Sequence, residues 1–251
     1  MSLAIGIGIA IILAVLFGNG AVVLFNHMPA DWFGVSKSEE SSKENDKLAD
    51  NDEVIFPNKL MQADNAGQQR MASSPWKYIF VSTFLVIGVY LALTTSVKFE
   101  IASLFVIAVM LEMAIADQKY RIVPDQLQLL LALTTIGFIG YNDKWWEPIA
   151  GAGIGLALGL AELGIGLAIY KKVAIGGADI KFFTVIGLVA GRRGVLAIFI
   201  LTTLLFAIES AYMLAARRIK RTDGLALMPA ATLATTIYLL FLYNTIDVIQ
   251  F

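Results

Sequence analysis

The chain alternates long apolar blocks with short polar breaks. Apolar blocks fall at about 3–26, 77–95, 99–116, 126–141, 148–170, 180–191, 194–215 and 226–247. Most approach or exceed the roughly 18 residues that a helix needs to cross a hydrocarbon core. The pattern predicts an all-α membrane protein with about eight transmembrane helices and one long cytoplasmic loop after the first. The block at 180–191 is too short for an ideal span. It predicts a helix that starts below the membrane surface or follows re-entrant backbone. Three regions result: a first transmembrane helix at 1–27, a polar loop at 28–76, and a helical core at 77–251. The first block lacks a basic leading segment and a small-residue cleavage site, so it reads as a retained span and not a secretory signal.

Composition agrees with the pattern. Of 251 residues, 58% are hydrophobic and 16% charged, and the mean hydropathy is +0.73. Soluble domains carry closer to a quarter charged residues. The net charge of −1 gives no electrostatic footprint for nucleic acid. There is no cysteine and one histidine, His27, so thiolate metal sites are excluded and no metal is expected.

Charge then orients the spans. The run SKSEESSKENDKLADNDE (36–53) is dense in charge and reads as solvated chain. With this loop in the cytoplasm, 15 of the 19 basic residues fall on the cytoplasmic side. Only Lys98, Lys144, Arg192 and Arg193 fall outside. This obeys the positive-inside rule and turns both termini outward.

Five acids lie within or at the edge of apolar blocks: Glu112, Asp117, Glu162, Asp179 and Glu209. Ionisable groups at membrane depth are costly, so each is a functional candidate. Asp117 closes the third block and Asp179 opens the sixth. The orientation puts both at the cytoplasmic end of different helices and at one depth. That is the minimum geometry for an aspartyl dyad, in which one carboxylic acid polarises a carbonyl and one carboxylate takes a proton from water. Gly176 and Gly177 offer backbone freedom just before Asp179. Lys181 is placed to favour ionised carboxylates or to hold a lipid phosphate. Plainer readings stay open: Asp179 also fits an N-cap, and Asp117 an interfacial charge paired with Lys119 or Arg121. Glu112 sits five residues before Asp117, off its helix face, and fits a tuning role. The glycine-rich run GAGIGLALGLAELGIG around Glu162 reads as close helix packing.

Three segments together resemble the type IV prepilin peptidases, a family of bacterial membrane aspartyl proteases. FGNGAVVLFNHMP (17–29) is similar to the family's first-span motif. DQKYRIVPDQLQLLLALTTIGF (117–138) is similar to its first catalytic motif, an Asp, a basic stretch and a Pro-Asp, here Pro124-Asp125. GGADIKFFTVIGLVAG (176–191) is similar to its second, a glycine-rich approach to Asp and Lys. The resemblance implies that Asp117 and Asp179 are the catalytic pair. Gly176, Gly177, Lys181, Pro124, Asp125 and Glu112 would support the site. It implies type IV prepilins or type II secretion pseudopilins as substrates, cut at the cytoplasmic face of the inner membrane. It also implies N-methylation of the new terminus with S-adenosylmethionine. Four departures stand out: Ala178 replaces a glycine, His27 replaces an arginine, Gly20 replaces a bulky residue, and the loop's four-cysteine cluster is missing. The loss of that cluster bears on methylation more than on cleavage. A non-catalytic transporter or assembly scaffold, using the same acids for ion coupling or packing, is the rival reading. A presenilin-like protease is disfavoured, since Ala116 and not Tyr precedes Asp117.

Overall fold

The computed structural model describes residues 3–33, 70–142, 144–170, 176–217 and 225–243. The charged run at 36–53 and the rest of the loop up to residue 69 lie outside the described residues, as do Lys171, Lys172, Arg218, Lys220 and Arg221. Among the described residues the regular elements are all helical. They are α1 (Leu3–His27), α2 (Trp76–Thr94), α3 (Val97–Tyr120), α4 (Asp125–Leu133), α5 (Glu147–Tyr170), α6 (Gly177–Ala215) and α7 (Met228–Ile237). A 3₁₀ segment, Thr134–Tyr141, continues α4, and a π-helical turn, Tyr238–Leu242, continues α7.

Each element overlies an expected block, but the count of spans differs in kind. Among the described residues five helices are long and apolar enough to cross a membrane: α1, α2, α3, α5 and α6. The expected span at 126–141 is a nine-residue α-helix run on into 3₁₀ turns. The last block, Met228–Leu242, is a shorter apolar helix. The blocks at 180–191 and 194–215 join in one 39-residue run, α6. Straight, it would reach about 58 Å, nearly twice a hydrocarbon core. It is broken at Gly191, whose φ of 69° lies in the left-handed region. Glycine is the residue that takes this conformation without a Cβ penalty, so the break falls there.

One helix forms the centre. In α3, 67% of the apolar window is buried, against 28% or less in the other four spans. Leu104, Val106, Met110, Met113 and Ala116 of α3 pack against α1, α4 and α7. The outer faces of α1, α2 and α6 expose Ile12, Leu16, Val86 and Ile200. Apolar outer faces suit a lipid solvent, and backbone groups stay paired inside each helix.

The α5–α6 pair is held by small residues, as the glycine-rich run suggests. A Cβ at Gly155 would collide with the Phe183 carbonyl, and one at Gly151 with the Gly187 carbonyl. Gly159 lies against Ile180. Close backbone approach of this kind replaces hydrophobic drive between helices in a membrane. The run is not uniform, however. A Cβ at Gly153 or Gly164 would meet open space.

Candidate active site

Asp117 lies in the last turn of α3 and is buried. Arg121 ends that helix in the left-handed region (φ 56°), its N–H bonded to the Asp117 carbonyl at 2.9 Å. The Asp117 Oδ2 accepts the Met228 N–H at 2.9 Å. Met228 opens α7, with Pro229 in its first turn. A carboxylate here meets the unpaired N–H groups and the positive end of the helix dipole. The interfacial reading of Asp117 is therefore incomplete: its direct partner is a helix N-terminus 111 residues away, with Arg121 only in electrostatic range.

Asp179 lies in the first turn of α6 and is half-buried. Its Oδ2 accepts the Gly176 N–H at 3.2 Å. Gly176 is the N-cap and Asp179 sits three residues on, so the carboxylate supplies the reciprocal half of a capping box and is not the N-cap itself. The expected use of glycine freedom is not found. Gly176 is in ordinary extended conformation (φ −72°, ψ 150°), and Gly177 is helical, facing open space.

The carboxyl groups of Asp117 and Asp179 lie within electrostatic range of each other, and Glu162 of α5 is within range of Asp179. The fold therefore brings two of the predicted acids to one end of the bundle and adds a third beside them. The basic side chains expected on that side gather there too. Lys119 Nζ donates to the Arg70 carbonyl at 2.6 Å, and Arg70 donates to the Met28 carbonyl at 2.7 Å at the end of α1.

The supporting residues divide. Pro124 is the N-cap of α4, and Asp125 opens it. Lys181 Nζ bonds both Asp125 oxygens, at 2.8 and 2.9 Å, so its partner is this exposed carboxylate. Glu112 is placed elsewhere. It is 5% exposed, with no hydrogen-bond partner among the described residues. It lines a separate apolar cavity of about 580 Å³ between α1, α3 and α4, together with Gly20, Leu24 and His27. The His27 ring nitrogen Nδ1 lies 2.8 Å from the Val23 carbonyl, at the end of α1. Among the described residues no cluster of three or more potential metal ligands occurs.

Three features escape sequence reading. Met228 holds Asp117 through its backbone, so its side chain gives no signal, though Pro229 marks a helix start. Glu100 stands at a span edge in the sequence, yet its side chain is fully buried, and neither oxygen has a hydrogen-bond partner among the described residues. Gln128 is 4% exposed, and its Nε2 donates to the Ala178 carbonyl at 3.3 Å. It thus reaches the residue immediately before Asp179.

Residues 104–210, a stretch that contains both aspartates, match the sequence model of the type IV leader peptidase family. This segment is similar to type IV leader peptidases. The chain is also 27% identical, over 168 residues, to a prepilin leader peptidase/N-methyltransferase of Bacillus subtilis. That match covers 66% of this chain and 62% of the relative. A protein of the same name from Xanthomonas campestris is 27% identical over 122 residues, covering 47% of this chain and 42% of the relative. The chain thus spans less than two thirds of the curated relatives it matches. No solved structure matches. The resemblance to prepilin peptidases drawn from the motifs is borne out.

Proposed function

We propose that this chain is a membrane aspartyl endopeptidase that removes the leader from type IV prepilins or pseudopilins at the cytoplasmic face of the inner membrane. Asp117 and Asp179 are the catalytic pair in this reading. The observation that carries it is their meeting: two acids from the ends of separate helices lie within electrostatic range inside the peptidase-like segment. In the proposed step one carboxylate takes a proton from water while the water oxygen bonds to the scissile carbonyl carbon. The partner carboxylic acid gives its proton to the carbonyl oxygen. Collapse of that adduct breaks the C–N bond: the departing amine takes the proton that the first carboxylate received from water, and the adduct's hydroxyl proton returns to the second carboxylate.

Burial of Asp117 and its bond to Met228 support a fixed role for that acid, and Asp179 is the more open of the two. The clustering of Arg70, Lys119, Arg121 and Lys181 near the pair supports a cytoplasmic site by the positive-inside rule. The test is cleavage of a prepilin by the full chain purified in detergent, beside its Asp117→Asn and Asp179→Asn variants. Cleavage by both variants at the parent rate would remove the dyad assignment.

Methylation of the new amino terminus is a second proposal, carried by the names of the relatives alone. The described cavities beside α4 combine apolar walls with Asp125, Gln128, Lys181 and Thr184 in one and His27 and Glu112 in the other. No step is routed through S-adenosylmethionine. A labelled methyl donor, supplied with cleaved substrate, decides this point: no label on the product ends the proposal.

A further inference from the structure

Asp117 takes its hydrogen bond from Met228, the first residue of α7. Helix ends fray, and in a membrane no hydrophobic drive presses one helix onto another. A bond from such a place orients a carboxylate only if the helix start is itself held.

Thr232 supplies that hold. Its hydroxyl lies 2.8 Å from the Met228 carbonyl, one turn back on α7, and 3.0 Å from the Met110 carbonyl of α3. A hydroxyl has one hydrogen to donate, so the two carbonyls share it and the side chain bridges the helices. The bond to Met228 is ordinary for a threonine inside a helix. Thr236 makes its equivalent to the Thr232 carbonyl, at 2.8 Å. The bond to Met110 is of another kind, because it crosses between helices, as threonine side chains do where membrane helices associate.

The spacing gives the bridge its effect. Met110 and Asp117 are seven residues apart, close to two turns, so they share a face of α3. Met228 and Thr232 are four apart and share a face of α7. The two faces are tied at two points: the Met228 N–H on the Asp117 carboxylate, and the Thr232 hydroxyl on the Met110 carbonyl. Two ties fix the rotation of α7 against α3, where one would let it turn.

We propose that Thr232 is a positioning residue for the acid pair: its bridge to Met110 keeps the Met228 N–H on Asp117 and so sets how that carboxylate is turned for proton transfer. This rests on the peptidase reading above.

The test replaces the hydroxyl by a methyl, Thr232→Val, in the full chain purified in detergent. Cleavage of a synthetic prepilin-type peptide is expected to lose about 5-fold in kcat with KM unchanged, the worth of one hydrogen bond between membrane helices. Thr232→Ser is expected to keep the parent rate. Thr236→Val removes only a bond within α7 and is expected to leave kcat as it is. Amide hydrogen exchange at Met228 reads the same link without substrate. It is expected to quicken about 5-fold in Thr232→Val, by the same reckoning, and to stay at the parent rate in Thr232→Ser and Thr236→Val. A Thr232→Val protein with the parent kcat, or with parent exchange at Met228, overturns the proposal. Equal losses in Thr232→Val and Thr236→Val overturn it too. Should Thr232→Val not fold, Thr232→Ala carries the same comparison with Thr232→Ser. A parent that does not cut the peptide removes the peptidase reading and the catalytic part of this inference with it, and Met228 exchange then still decides whether Thr232 holds the partner of Asp117.

Discussion

Asp117 and Asp179 reach the same end of the bundle by opposite means. Asp117 ends a helix that is buried along most of its length, and its partner comes from Met228, far along the chain. Asp179 begins a helix, is half exposed, and among the described residues its carboxylate bonds only to Gly176 three residues back. The first acid is held by tertiary structure, the second by local backbone and by whatever places α6. What places α6 is mainly the glycine seam with α5, the most extensive helix contact in the molecule. The proposed dyad would then have one fixed member and one whose position depends on a helix pair. That asymmetry makes unequal demands on the surrounding residues, and substitution can expose it.

The largest effect is expected where the two acids are equal. Asp117→Asn and Asp179→Asn each remove an ionisable oxygen and keep the side-chain shape. Each is expected to lower kcat for leader cleavage by at least about 1000-fold, within the usual range for loss of an acid–base group. The double variant is expected to be little worse than either single one, because the residues act as a unit. Additive losses in single-turnover assays would show that the acids do not work as a pair.

The seam gives the next largest effect. Gly155→Val forces a branched side chain onto the Phe183 carbonyl. It is expected to separate α5 from α6 and to destabilise the fold by about 3 kcal/mol, at the upper end for overpacking. Gly153→Val, two residues away and facing open space, is expected to leave the melting temperature unchanged. Equal melting temperatures for the two variants would deny the seam its role in placing Asp179.

Much of this arrangement is legible in the sequence, and the part that is not has a physical reason. The helices are legible because lipid demands long apolar runs, and the described part of every run is helical. Asp117 and Asp179 are legible because acids are rare at span ends. The nature of three spans is not. Hydropathy measures greasiness and not hydrogen-bond pattern, so it cannot separate a straight span from the 3₁₀ run at Thr134–Tyr141 or from the broken α6. Nor does it see Met228, which acts through its N–H, a group that nearly every residue carries. Glu112 is legible as costly but not as separate, since only the packing of α1 and α4 shows that it faces another cavity.

Stability, in contrast to activity, is expected to tell the two acids apart. Asp117→Ala strands the buried Met228 N–H at the start of α7. The expected cost is about 1–3 kcal/mol, the penalty for a buried donor without a partner. Asp179→Ala leaves the Gly176 N–H open to water, and its expected cost is about 0.5–1 kcal/mol, the lower range for loss of a helix-start bond. Thermal unfolding of both variants in one detergent checks the order. The reverse order would mean that Asp179, not Asp117, is the member held by the fold.

The smallest effect concerns the ion pair on the rim of Asp179's helix. Lys181 and Asp125 are both more than half exposed, at 57% and 68%. Water screens such a pair, and two long side chains must be ordered to form it, so the coupling energy is expected to be about 0.2–1 kcal/mol. Asp125→Ala, Lys181→Ala and the double variant form a cycle that measures it directly. Gln128 ties α4 to the same turn of α6 from the buried side, through Ala178. The rim pair is therefore one of two links, and its loss leaves the other in place. Salt is the sharper probe: added sodium chloride is expected to erase what coupling there is. A coupling of several kcal/mol that survives salt would place the pair in a dry environment, and Asp179 would then be held by tertiary structure as firmly as Asp117.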